Sequence, residues 1–201
     1  PGQVEEVLSK FGDFSTVKIK VAEIGQSITE DIARVLKVAT SYPNCRIRLD
    51  ANGKFTPEQA LELLAQIPLE RLDYFEQPCA SIDDLVELKA TIKHLDLKVL
   101  IAADESIRKA SDPIEVARRG AADIVMLKVQ PLGGIKRSLE IAAESGLKAV
   151  VSSALETSIG LSQGAYLAAA LPELDYDCGL GTLSLMESDI TAEPLSPVAG
   201  F

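Results

Sequence analysis

The 201-residue sequence is long enough for one large domain, and its 47% hydrophobic and 25% charged residues are typical of a globular protein. Its formal net charge of −10 argues against nucleic acid or an anionic membrane as a partner. No apolar run reaches the length of a membrane span, and the first residues lack the features of a signal peptide. Three widely spaced cysteines, Cys45, Cys79 and Cys178, form neither a Cys-x-x-Cys pair nor a zinc cluster, so we expect reduced thiols and a cytoplasmic protein.

Short apolar runs alternate along the chain with longer segments of helical period, which predicts βαβ units and a parallel sheet in an α/β protein. A leading helix is predicted over residues 3–11. Helix starts are indicated by a capping box at Ser27 and Glu30, by Thr56 followed by Pro57, and by Ser81. The predicted strands cover residues 16–21, 46–50, 72–75, 99–102, 124–128, 149–152 and 176–179.

The regular alternation of strands and helices indicates a β/α barrel. A closed barrel needs eight such units and roughly 250 residues. Residues 1–201 supply seven predicted strands, so we interpret the chain as a partial barrel that lacks its first strand and was cut from a longer protein. The strands at the two edges would then be unpaired.

Acidic residues end three successive predicted strands. Asp50, Glu76 and Asp104 are 26 and 28 residues apart, which is one βα unit in each case. Because the carboxyl ends of parallel barrel strands meet at one rim, these three carboxylates are expected to converge. Three neighbouring carboxylates require a cation, and Mg²⁺ prefers hard oxygen ligands. The sequence therefore predicts a magnesium site.

Lysines end the strands on either side of the three acidic ones. Lys20 precedes them and Lys128 follows them, so one ammonium group is expected on each side of the metal. A lysine that is partly desolvated near a divalent cation can act as a base towards a weakly acidic carbon. Each residue alone is more often solvated or salt-bridged, but the ordered set of five indicates a site. Lys18 is either a further site residue or a partner of Lys20.

Five motifs in this order resemble the barrel domain of the enolase superfamily, in its muconate-lactonising-enzyme-like subgroup. They are Lys-x-Lys at 18–20, RLDAN at 48–52, FEQP at 75–78, AADES at 102–106 and LKVQPLGG at 127–134. Residues 152–160, 168–172 and 178–183 are more closely similar to the o-succinylbenzoate synthases of the actinobacterial type. This resemblance implies a cytoplasmic lyase of menaquinone biosynthesis. Its carboxylate substrate would be the small molecule 2-succinyl-6-hydroxy-2,4-cyclohexadiene-1-carboxylate, which is dehydrated to o-succinylbenzoate.

The resemblance also implies roles for individual residues. Asp50, Glu76 and Asp104 would bind Mg²⁺, Lys20 would remove the proton α to the carboxylate and assist departure of the hydroxyl, and Lys128 would stabilise the enediolate from the opposite face. Enolase-superfamily sites with a lysine or histidine base and Mg²⁺ are an established pattern. The implied substrate-binding residues are Lys18, Arg48, Asn52, Ser152, Ser153, Thr157 and Gly160. Among them, Arg48 and Asn52 would orient Asp50, the first metal ligand, and Ser152, Ser153 and the backbone of residues 157–160 would bind the succinyl carboxylate. For the two serines, helix capping is an equal alternative.

Two other functions stay open at this point. Asp175 and Asp177 form an Asp-x-Asp pair like the one with which dipeptide epimerases of the same subgroup hold an ammonium group, although both could be surface residues. An N-succinylamino acid racemase or dipeptide epimerase is therefore an alternative. The other alternative is a non-catalytic barrel fragment, because the family's N-terminal α+β capping domain is absent from the sequence. Oligomeric state is not predicted.

Overall fold

The fold, given by a computed structural model that describes residues 3–9 and 14–195, is built on a curved parallel sheet. In the described residues the sheet has six strands in sequential order, as expected for successive right-handed βαβ units. The strands are β1 Thr16–Lys20, β2 Arg46–Asp50, β3 Leu72–Glu76, β4 Ile101–Ala103, β5 Ile124–Leu127 and β6 Lys148–Val151. The predicted α/β barrel architecture is confirmed.

Helices connect the strands. They are α1 Val4–Leu8, α2 Ile28–Ser41, α3 Pro57–Leu64, α4 Ile82–His94, α5 Glu105–Arg108, α6 Glu115–Arg118, α7 Val129–Leu132, α8 Ile135–Ser145 and α9 Ser158–Ala170. Short 3₁₀ helices occur at Leu69–Arg71 and Thr182–Leu185. No helix in the described ranges has both the length and the apolar character that a membrane crossing requires.

The predicted capping residues start the longer helices. The Ser27 hydroxyl accepts a hydrogen bond from the Glu30 amide, and the Glu30 carboxylate accepts one from the Ser27 amide, which completes a capping box at α2. Thr56 and Gln59 make the same exchange at α3. Ser81 caps α4 by accepting from the Asp84 amide. Each cap satisfies amide groups that a helix leaves unpaired at its start.

Side chains alternate between the two faces of the sheet. Residues such as Ile19, Leu49 and Phe75 point towards the helices and are buried in the main hydrophobic core. The barrel interior holds a second, smaller cluster, formed by Tyr74, Ala102, Ile124, Met126 and Val150, with Tyr176 packed against it. One step further along the inner face, β3 to β6 change from these apolar residues to polar ones, which are Glu76, Asp104, Lys128 and Ser152, and the inward residues of β1 and β2 are polar along the whole strand. This change places the candidate site at the carboxyl ends of the strands.

The structure differs from the sequence-based prediction at both ends of the chain. Residues 176–179 form a single parallel bridge, Gly179 to Ser152, instead of a seventh strand. Gly179 exchanges backbone hydrogen bonds with Val151 and Ser153, and the carboxylate of Asp177 accepts hydrogen bonds from the hydroxyls of Ser15 and Thr16, so one backbone bridge and side-chain contacts hold this segment where a ladder was expected. The leading helix is shorter than predicted, because α1 ends at residue 8, and residues 10 and 11 lie outside the described residues.

Candidate functional site

The strand register brings the predicted lysine and carboxylates to one rim of the barrel. Lys20 lies opposite Asp50 in the ladder, and Asp50 lies opposite Glu76. Asp104 and Lys128 directly follow β4 and β5. Asp50, Glu76 and Asp104 are 0 to 1% exposed, and Lys128 is 9% exposed. Buried carboxylates and ammonium groups are stable only when they are paired or bound to a cation.

Lys18 and Lys20 approach the carboxylates from the β1 side. The Lys18 Nζ lies 3.0 Å from Asp50 Oδ2 and 3.2 Å from Glu76 Oε2, so it bridges the first two carboxylates. The Lys20 Nζ lies 2.7 Å from the same Asp50 oxygen and donates to Asn52 Oδ1 at 2.5 Å. The Lys20 side chain is 47% exposed, which leaves its ammonium group accessible from the open side of the rim.

The third carboxylate is held from the opposite side. The Lys128 Nζ lies 2.7 Å from Asp104 Oδ2, and the Arg108 guanidinium donates to Asp104 Oδ1 at 3.0 Å. Arg108 also contacts Glu105, whose Oε1 accepts from the side-chain Nδ2 of Asn52 at 3.3 Å. The site is therefore a continuous array in which cationic groups alternate with carboxylates, and lysines lie on both of its sides.

Burial and neighbouring charges set the protonation of the carboxylates. Burial raises the pKa of Glu76 to about 7, Lys18 opposes this shift, and the Asp50 and Asp104 carboxylates add to it. Burial also disfavours ionised Asp50, but Lys18 and Lys20 outweigh it and hold the pKa of Asp50 below its usual value. For Lys18, burial is outweighed by Glu76 and Asp50, which raise its pKa.

The site lacks a preformed metal cage. In the part of the chain that the structure describes, no group of three His, Cys, Asp or Glu side chains could hold a metal ion. Ion pairs account for the lack of such a group, because the ammonium groups of Lys18 and Lys128 contact carboxylate oxygens that a metal would need. The predicted metal ligands thus share a rim, but each faces an ammonium group.

Without metal, protein stability should depend on pH through Glu76. Its pKa rises from an ordinary 4.5 to about 7 on folding, so between these values the folded state keeps a proton that the unfolded state has lost. Stability should therefore fall as pH rises through this window, by about 3 kcal/mol at 1.36 kcal/mol per pKa unit. Glu76→Gln replaces the titrating carboxyl group with an amide that does not ionise. We expect urea unfolding in EDTA to give this variant a growing advantage over wild type between pH 5 and pH 8.

Carboxylates outside the array titrate identically in both proteins, and the lowered pKa of Asp50 lies below this pH window, so the difference between the two proteins reports mainly on Glu76. A difference constant to within about 0.5 kcal/mol, the usual error of additivity, would contradict the assignment.

Arg48 lies one step below the rim. Its guanidinium stacks over the rings of Tyr74 and Tyr176, at 4.9 and 6.0 Å from their centroids. It also donates to Asp73 at 3.2 Å and to the Asp177 carbonyl oxygen at 2.7 Å. These contacts fix the barrel interior beneath Asp50, whereas the predicted role was to orient that residue. Asn52, by contrast, does contact Asp50, because its backbone amide donates to Asp50 Oδ1 at 3.1 Å, and its side chain also accepts from the Lys20 Nζ.

The predicted carboxylate-binding segment after β6 is occupied by groups of the chain itself. Ser153 donates to the Gly179 carbonyl oxygen at 3.0 Å and lies 2.8 Å from the Thr182 hydroxyl, and Ser152 makes a long 3.5 Å contact to the same carbonyl. Neither serine caps α9. Thr157 is its N-cap residue without a side-chain bond, and the Ser158 amide donates to the Asp189 carboxylate at 3.1 Å.

Gly160, the last predicted substrate-binding residue, lies in the first turn of α9. A Cβ atom there would lie 2.8 Å from the Cβ of Glu156, so the glycine allows the buried Glu156 side chain to pack against the helix. Gly160 is thus a packing position in this structure.

Two site residues were missed by sequence reasoning. Gln77 is fully buried, and its Oε1 accepts from the amides of Asp104 and Ser106 at 2.9 and 3.1 Å, which fixes the strand end that carries Asp104. Its φ of +36° is unusual for a residue other than glycine. Arg108 was the second, and its i,i+4 spacing from Asp104 was the available signal.

The Asp-x-Asp pair lies at the other end of the barrel. Asp175 forms a 2.8 Å ion pair with Lys148, the first residue of β6, and Asp177 binds the hydroxyls of Ser15 and Thr16 before and at the start of β1. Since the lysines and carboxylates of the site lie at the carboxyl ends, this pair is not part of the same array.

Comparisons with known proteins agree with this architecture. Residues 2–201 match the family described as enolase C-terminal domain-like. The chain is 47% identical over 201 residues to an o-succinylbenzoate synthase of Thermobifida fusca and 50% identical over 199 residues to one of Mycolicibacterium smegmatis. These alignments cover 100% and 98% of the chain but 62% and 60% of the two relatives. The chain therefore spans about three fifths of the length of these relatives.

Solved structures of related proteins have a similar fold. Muconate cycloisomerase from Pseudomonas fluorescens matches with a TM-score of 0.83 at 26% identity, covering 99% of this chain and 55% of that one. A dipeptide epimerase from Enterococcus faecalis matches with a TM-score of 0.80 at 28% identity, covering 97% and 56%. From the match over nearly its whole length, the chain belongs to the enolase C-terminal domain-like family.

Proposed function

We propose that this chain forms the catalytic barrel of a Mg²⁺-dependent o-succinylbenzoate synthase. This lyase would dehydrate 2-succinyl-6-hydroxy-2,4-cyclohexadiene-1-carboxylate. The observation that carries the proposal is the array of three buried carboxylates at one rim with Lys20 on one side and Lys128 on the other. Relatives with that name at 47% and 50% identity support the choice of reaction.

The chain's own residues suit a proton abstraction. Lys20 is the accessible amine of the array and would take the proton from the carbon next to the substrate carboxylate, then return it to the departing hydroxyl as water leaves. Asn52, in contact with the Lys20 Nζ, would orient it. Lys128 is almost fully buried opposite, where its charge would stabilise the negative charge that develops on the substrate carboxylate.

The donor set is chemically suited to Mg²⁺. Asp50, Glu76 and Asp104 offer only hard oxygen atoms, and burial together with the two neighbouring carboxylates raises the pKa of Glu76, an effect that a bound cation would oppose. Binding would require Lys18 and Lys128 to release the carboxylate oxygens that they contact. When bound, the metal would neutralise charge on the substrate carboxylate.

The proposal is tested with the full-length gene product, Mg²⁺ and a panel of substrates. We expect turnover of the cyclohexadiene carboxylate at a kcat/KM well above that for N-succinylamino acids or dipeptides, and no turnover in EDTA. Absence of dehydration in the presence of Mg²⁺ would overturn the assignment.

A second candidate is racemisation or epimerisation, which the two-sided lysine arrangement favours, since one lysine could remove a proton and the other return it. The similarity to a dipeptide epimerase structure supports it further. The location of Asp175 and Asp177 away from the array weighs against it. Deuterium uptake from D₂O at the α carbon of N-succinylamino acids or dipeptides would reveal this activity, and its absence would remove the candidate.

We also propose a cytoplasmic location in menaquinone biosynthesis and a small carboxylate as the partner. All three cysteines are free in the structure, which is consistent with a reducing compartment.

A further inference from the structure

We propose that Asp31 and Arg34, two residues of α2, position Lys20 by fixing the backbone at the end of β1. This inference rests on the proposed function, because it assigns Lys20 as the base. Neither residue touches the carboxylate array in the contacts described above. Both act on the three residues at which β1 ends, Lys20 to Ala22.

Arg34 holds the backbone of Lys20 itself. In the described sheet β1 has one neighbour, β2, and the Val21 amide donates to the Asp50 carbonyl oxygen. Backbone groups alternate in direction along a strand, so the carbonyl of Lys20 faces away from β2. The Arg34 Nη1 donates to this carbonyl oxygen at 2.6 Å. The carbonyl of Lys20, which does not pair with β2, is thereby hydrogen-bonded to α2.

Asp31 holds the turn that follows. It is completely buried, and its Oδ2 accepts from the Ala22 amide at 2.7 Å. Ala22 has a φ of +58°, a conformation that is disfavoured for any residue with a Cβ atom and therefore needs support from its surroundings. Asp31 Oδ1 lies 3.3 Å from the Arg34 Nη1, so the two residues form one unit.

Helix capping does not account for Asp31. The start of α2 already has a complete capping box from Ser27 and Glu30. The Asp31 carboxylate is therefore directed to the Ala22 amide outside the helix. Support of this kind matters because the Lys20 side chain is half exposed and little packing restrains it.

Kinetics of the full-length gene product with Mg²⁺ test the proposal. In Arg34→Met and Asp31→Ala, kcat for dehydration should fall by roughly 10- to 100-fold, the size of effect expected when a reacting group moves by up to about 1 Å. KM should change by less than about 3-fold, because the substrate contacts are retained. Asp31→Asn, which keeps an acceptor for the Ala22 amide, should recover part of the loss.

Glu30→Ala is the matched control, since it removes the capping box in the same helical turn without touching β1. It should lower the melting temperature and leave kcat unchanged. If Arg34→Met and Asp31→Ala lose no more kcat than Glu30→Ala at equal folded fraction, their role is only structural and the proposal is overturned.

Amide hydrogen exchange separates this inference from the proposed function. In Asp31→Ala, exchange in the peptide spanning residues 18–26 should accelerate by more than 10-fold relative to Glu30→Ala, as expected for a local opening. Unchanged exchange there would overturn the anchoring whether or not the enzyme dehydrates the substrate. Accelerated exchange in a protein without dehydration activity would retain the anchoring and reject the function.

Discussion

Replacing Lys20 with alanine in the full-length gene product should lower kcat for dehydration by about 10³- to 10⁴-fold, the upper range for loss of a general base. The expected loss of kcat follows from the positions of the three lysines in the array. Lys20 is the accessible amine of the array, whereas Lys18 is engaged by two carboxylates and Lys128 lies buried against Asp104. The measurement is product formation under saturating substrate with Mg²⁺.

The control is Lys98→Ala, because the Lys98 side chain is 84% exposed and pairs only with the equally exposed Asp96 among the described ion pairs. This variant should retain wild-type kcat. Comparing Lys20→Ala with the double variant Lys18→Ala/Lys20→Ala tests whether the neighbouring lysine can replace Lys20. A Lys20→Ala variant that keeps more than a tenth of wild-type kcat would show that another group removes the proton.

Glu76→Gln should abolish the stabilisation that Mg²⁺ gives to the folded protein. Glu76 is the central and fully buried carboxylate of the array, and glutamine has the same shape without the charge. A ligand that binds only the folded state raises its stability in proportion to the logarithm of ligand concentration. We expect wild type to show a melting temperature that increases with Mg²⁺, and the variant to need roughly 100-fold more metal or to show no increase, since even indirect partners of a metal can matter this much.

The metal-free variant is the internal check on folding. At pH 8 it should melt at or above the temperature of metal-free wild type, because it no longer buries a carboxylate whose pKa is raised to about 7. Glu87→Gln, at an exposed position of α4, is the matched control and should keep the full response to Mg²⁺. An undiminished response in Glu76→Gln would exclude this residue as a ligand.

The α/β class, six of the strands and the residues at the rim could be predicted from the amino-acid sequence. Each of these follows from local rules. Alternating apolar residues define a strand such as Arg46–Asp50, and the last inward residue of a parallel strand, here Asp50, must lie at the carboxyl end of the sheet. Capping boxes are local as well, since Ser27 and Glu30 are three residues apart.

The ion pairs, ring contacts and hydrogen bonds of these residues depend on the tertiary structure. Lys18 bridges two strands, Arg48 stacks between two tyrosines that are 102 residues apart in the sequence, and a carboxylate from residue 189 binds the start of α9. These contacts join distant segments through side-chain geometry, so no local period encodes them. Contacts between distant segments also explain why residues 176–179 form a single bridge at Gly179 instead of a strand. Residues 176–179 have the composition of a strand, but in the described structure Gly179 makes their one bridge to β6, and Asp177 binds the hydroxyls of Ser15 and Thr16 instead.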